Sequence, residues 1–147
     1  MRKTILLLAF LSVFFGFASA QAKPENQPFK PTKVLRSTGA FAEVLLRRAE
    51  LEAEVQEMLE SYTEEYAGFR ETKYELDRIN EELEKMNKVS AEEASKLTAA
   101  LGKLIVRKCE LQADYWAVSQ RFSANHPQVK RAKRKFETFE KALQDIL

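Results

Sequence analysis

From Phe41 to Met86, apolar residues recur every seven positions in two interleaved rows, a pattern that restricts the chain to helices burying a narrow stripe against other helices. One row is Phe41, Arg48, Val55, Tyr62, Phe69, Leu76 and Leu83. The other is Val44, Leu51, Met58, Glu65, Thr72, Ile79 and Met86. Eleven of these fourteen positions are apolar or aromatic, so the spacing predicts one helix running from about residue 40 to residue 87. Such a helix would be about 70 Å long at 1.5 Å per residue, too long for a compact globule. Ser37 or Thr38 stands where a hydroxyl accepts from the first free helix amides.

A stop is expected at residues 87–89, because Ser90 precedes Glu93 in the Ser-x-x-Glu arrangement that opens a new helix. The next helix should cover about 91–122, with Ala94, Leu101, Lys108, Tyr115 and Phe122 in one row and Leu97, Leu104, Leu111 and Val118 in the other. Reversal near residue 89 pairs residues whose numbers sum to roughly 177, setting Leu76 beside Leu101 and Tyr62 beside Tyr115. The predicted architecture is an all-α long antiparallel helical hairpin, a coiled coil. In that register Lys108 lies near Phe69 and reaches toward Glu65, as a structural ion pair or a snorkelled lysine.

Pro127 removes a helix hydrogen bond and disfavours helical geometry at His126, so the chain breaks or bends there. Beyond it Val129, Ala132, Phe136, Phe139, Leu143 and Ile146 predict a C-terminal amphipathic helix over 127–147. That helix either continues along the first after a kink or folds back to make a three-helix bundle. Leu45, Ala49, Leu59 and Tyr66, with Ile105, Cys109 and Trp116, add apolar positions that a bare hairpin leaves wet. The final helix or a neighbouring subunit would cover them, and self-association is the favoured reading. The seam residues assigned to assembly are Phe41, Leu51, Phe69, Leu76, Leu104, Tyr115, Phe136 and Phe139.

The start of the chain reads as a secretory signal over residues 1–20: Arg2 and Lys3, an apolar run from Ile5 to Phe17, then Ala18-Ser19-Ala20. Export is therefore expected, to a bacterial periplasm or beyond the cell. Residues 21–36 read as an extended leader with Pro24, Pro28 and Pro31, and 37–147 as the helical domain. Arg2 and Lys3 carry the whole formal excess of +2, so the chain after cleavage is formally neutral and gives no electrostatic reason to bind nucleic acid.

Chemistry-bearing residues are sparse. Cys109 and His126 are the only residues of their types, which rules out an intramolecular disulfide and leaves no His or Cys pair for zinc or nucleophilic catalysis. Cys109 reads as a partly buried helical side chain, with an intermolecular disulfide as the alternative. No Gly-rich phosphate loop, paired-Cys spacing or nucleophile elbow is present, so no enzyme activity, cofactor, metal or small-molecule substrate is expected.

The densest charge feature is Lys130-Arg131-Ala132-Lys133-Arg134-Lys135. Its five cations, Lys130, Arg131, Lys133, Arg134 and Lys135, suit an anionic partner or, with Phe136 and Phe139 below, a membrane surface. The preferred reading is structural: these cations face the glutamates of residues 43–65 and align the last helix with the first.

An exported, charge-rich helical hairpin resembles the plan of Skp-type periplasmic chaperones, and the resemblance implies a holdase that grips unfolded envelope proteins. Asn125-His126-Pro127-Gln128-Val129-Lys130 is similar to a segment in the periplasmic coiled coils of polysaccharide chain-length regulators, implying only that a coiled-coil helix begins or bends there. The expected function is a noncatalytic exported coiled-coil scaffold or protein-interaction module of the cell envelope, with a holdase chaperone as the alternative.

Overall fold

The computed structural model describes residues 33–146 of the 147-residue chain. The predicted signal sequence and most of the predicted leader lie outside the described residues. The described part is helical: α1 (Lys33–Arg36), α2 (Gly39–Ser61), α3 (Ala67–Met86), a short 3-10 helix (Glu93–Lys96), α4 (Ala99–Arg121) and α5 (Pro127–Gln144). The all-α class is as predicted, whereas residues 33–36 of the predicted extended leader form a helical turn.

Thr38 and Thr98, both extended, start the two longest helices. Each side chain accepts a hydrogen bond from the amide three residues on, Phe41 and Leu101, at 3.3 Å. Strong helix formers such as Ala, Leu, Glu and Arg carry both helices onward. On α3 the buried Phe69, Thr72, Leu76, Ile79, Leu83 and Met86 alternate three- and four-residue steps, and this face enters the core. Leu51, Ile79, Leu83, Val44 and Cys109 form its fully buried centre, and Leu35 and Leu97 belong to the same cluster.

The helix predicted over 40–87 is in fact two helices. It stops at Ser61, Tyr62 turns extended (φ −135°, ψ 161°), and α3 restarts after Tyr66. Stacking of the Tyr62 and Tyr66 rings, with centroids 4.4 Å apart, fastens a turn that contains neither Gly nor Pro. The predicted Ser90–Glu93 capping box is present, since the Ser90 amide and hydroxyl bond the Glu93 carboxylate and the Glu93 amide bonds Ser90 Oγ. It opens only the 3-10 turn, and α4 begins after Thr98, its cap. At Pro127 the chain reverses, and α5 packs back on α4.

The register also differs from the predicted one. Tyr74 stacks on Trp116 and Lys108 pairs with Glu82, so α3 and α4 are antiparallel with partners summing to 190 where 177 was expected. Because α2 is antiparallel to α3 in turn, α2 and α4 run in the same direction, and their N-terminal ends meet. There Gly102 lets α4 approach α2 closely: a Cβ on it would lie 2.7 Å from Ala40 Cα and 2.9 Å from Ala40 O.

These corrections expose an internal duplication. The elements of residues 33–86 recur 60 positions later: the short helices begin at 33 and 93, the long ones at 39 and 99, the second long ones at 67 and 127. The turn geometry is duplicated as well, because Phe122 is extended like Tyr62 (φ −133°, ψ 152°) and its ring stacks on His126 at 4.2 Å. At this offset Thr38, Arg47, Glu50, Leu51 and Leu83 are identical to Thr98, Arg107, Glu110, Leu111 and Leu143. The molecule is therefore two stacked helix hairpins, in which α4 packs against both helices of the first repeat.

Candidate interaction surface

Of the predicted seam residues, Phe41, Leu51, Phe69 and Leu76 lie in the chain's own core, with Leu104 packed against it. Tyr115 and Phe136 stack within the second hairpin at 6.4 Å between centroids, and Phe139 is half-buried on the same helix. These side chains hold the chain together internally.

Polar groups inside the fold join its helices. Lys108 bonds Glu82 at 2.6 Å across the boundary between repeats, with side chains only 11% and 13% exposed. The predicted partner Glu65 is instead in the exposed first turn, its carboxyl held below the usual range by the Thr63 side chain and its own backbone. Burial pushes the Glu82 carboxyl upward, but hydrogen bonds from Lys108 and Lys85 outweigh it and hold the group below its ordinary value. Arg47 bonds Glu75 at 2.8 Å between α2 and α3. Burial disfavours both charges of that pair. Arg47 keeps its proton more firmly than usual because Glu50 and Glu54 also surround it, while burial, with Glu110 and Glu54 nearby, raises Glu75 despite its one cation.

Cys109 is fully buried, and loss of solvent pushes its thiol up to about 12, so it stays protonated and shielded from disulfide partners. His126 caps α5, its Nδ1 accepting from the Gln128 amide at 3.3 Å. Among the described residues no group of three or more His, Cys, Asp or Glu side chains is placed to hold a metal ion, and no helix is long and apolar enough to cross a membrane.

The basic cluster does not face the α2 glutamates as predicted. Reversal at Pro127 lays α5 on α4, leaving Lys130, Arg131, Lys133, Arg134 and Lys135 exposed; the ion pair found in the cluster, Lys133–Glu137 at 3.5 Å, stays on its own helix. Arg131 and Lys135 instead flank an open recess of about 430 Å³ floored by Leu111 and Ala117 of α4, with Arg121 and Asp114 at its side.

The other unusual surface is on α2. Leu45 and Leu46 are 40% and 59% exposed, and Ala42, Ala49 and Ala53 continue the strip along one face, bordered by Glu52, Glu57 and Glu60. The heptad spacing flagged Leu45 and Ala49, but their exposure is decided by which neighbours pack on α2. No family model matches this sequence, and comparison with curated proteins and with solved structures gives no significant match.

Proposed function

We propose that this protein is a noncatalytic, exported helical-repeat scaffold that binds protein partners in the bacterial cell envelope. The observation carrying this reading is the Leu45–Leu46 strip, a run of apolar side chains on a helix held rigidly by two packed neighbours. A preformed helical face loses little conformational entropy on binding, which favours a defined partner over diffuse adhesion. Export rests on the N-terminal signal pattern.

A photo-activated cross-linker placed at Leu46 in cells exporting the protein tests the proposal. Discrete protein adducts are expected at Leu46 and not at Lys73, an exposed position on α3. Absence of any adduct at Leu46 overturns the reading. A holdase chaperone is the second reading, favoured by the exposed rings of Tyr62, Tyr66 and Phe122 at the hairpin turns. It requires the purified protein to suppress aggregation of several unrelated unfolded proteins, and protection of none removes it.

A further inference from the structure

The two repeats show what the α2 strip is built to meet. Sixty positions on, Ala42, Leu45, Leu46, Ala49 and Ala53 correspond to Gly102, Ile105, Val106, Cys109 and Ala113 of α4. Four of those five counterparts are buried and Val106 packs against the core, because the first repeat covers them. The same face of α2 has no preceding repeat within the described residues.

The opposite end of the molecule carries the complementary half. In the first repeat α3 presents Thr72 and Glu75 as buried residues, with Glu110 of α4 close enough to disfavour the Glu75 charge. Their counterparts on α5, Ala132 and Lys135, line the open recess beside Arg131 and Arg121. The chain thus has one intact repeat-to-repeat junction and both halves of a second one, apolar on α2 and grooved on α4 and α5.

From this arrangement we infer that copies of the chain associate head to tail, the α2 strip of one copy entering the α4–α5 recess of the next as α4 enters the first repeat. The inference rests on reading the strip as an interaction face. Charge favours a second copy as the occupant: Glu52, Glu57 and Glu60 border the strip, whereas Arg121, Arg131 and Lys135 line the recess and outnumber its two acids, Glu71 and Asp114. The leader is a poor substitute, since residues 21–32 bring a single large apolar side chain, Phe29. A heterologous contact of this kind leaves a free strip and a free recess at the two ends, so growth continues beyond the dimer unless a ring closes. Solenoids that remain single carry polar outer faces on their terminal repeats, and the α2 face here is apolar.

The intact junction supplies the geometry of the test. Trp116 stacks on Tyr74 across it at 4.8 Å, and the corresponding residues at the inferred contact are Gln56 of one copy and Arg134 of the next. In a Cys109→Ala background, Gln56→Cys and Arg134→Cys proteins, purified in the form the cell accumulates, are mixed and treated with a short bismaleimide. Cross-linking between the two variants is expected. Light scattering on the unmodified protein should show mass rising beyond a dimer with concentration and falling with added salt. Leu46→Glu should weaken association about tenfold or more while leaving the helical circular dichroism unchanged.

A closed dimer in which Gln56→Cys cross-links to itself overturns the head-to-tail arrangement, and so does a monomer at every concentration. If adducts to other proteins still form at Leu46 in cells, the interaction reading stands without self-association. If those are missing too, both fail.

Discussion

Lys108 shows how much a single position depends on its surroundings. Heptad spacing placed a cation in an apolar row, and the fold supplies Glu82 as its partner at 2.6 Å. Lys108→Ala should cost on the order of 3 kcal/mol, read from denaturant midpoints at neutral pH, because it leaves a nearly buried carboxylate with only Lys85. The pH dependence follows from the directions of the two buried glutamates. Glu82 is lowered in the folded state, so the advantage of the native protein over Glu82→Gln is full above the ordinary glutamate value of about 4.3 and fades as pH falls through the lowered one. Glu75 is raised, so the native protein compared with Glu75→Gln fares best below about 4.3 and loses ground as pH rises through the folded value. Midpoints measured from pH 3 to pH 7 should therefore diverge in opposite directions, and parallel trends would reject the assignment. Gly102→Ala opposes a helix-propensity gain of about 1 kcal/mol to a backbone clash with Ala40. Because the clash involves main-chain atoms, a net loss of about 1–2 kcal/mol is expected in the same unfolding assay.

At the scale of elements, boundaries marked by local chemistry were legible, whereas those inside a continuous apolar row were not. Thr38 announced α2 through its hydroxyl, and the Ser90–Glu93 box was correctly located although it opens only one turn. Thr98 went unnoticed because the apolar rows run through it. Thr38→Ala and Thr98→Ala should each lower stability by about 1 kcal/mol, the ordinary worth of an N-cap hydroxyl; equal losses, measured by urea titration, would confirm that the two caps are equivalent. The break at 62–66 was missed for a physical reason. Its counterpart at 122–126 is followed by Pro127, which forbids a continuous helix, whereas Tyr62-Thr63-Glu64-Glu65-Tyr66 is compatible with one and turns only because ring stacking and packing of α3 on α2 favour it.

For the whole molecule, the consequence of duplication is a junction between repeats that should make unfolding cooperative. Trp116, the sole tryptophan, sits on that junction against Tyr74, with the Arg70 guanidinium 5.7 Å from its ring. Its fluorescence should report undocking of the repeats, and its urea transition should coincide with that of the helical circular dichroism; a fluorescence change at lower urea would mean the repeats part before they unfold. The 60-residue duplication could have been found in the sequence through Thr38 and Thr98, Arg47 and Arg107, or Leu51 and Leu111, but a seven-residue search reads along each helix and not between them. By itself the sequence determined that the described chain is helical, where two of the long helices start, and which residues form apolar rows, because caps and periodicity act over three to seven residues. Only the tertiary structure decided that the first row folds back on itself, that Lys108 meets Glu82, and that Leu45 and Leu46 lie exposed while Ile105 is buried. Those outcomes depend on which helix packs beside which, and that choice is made by summed burial across distant segments, which no local spacing encodes.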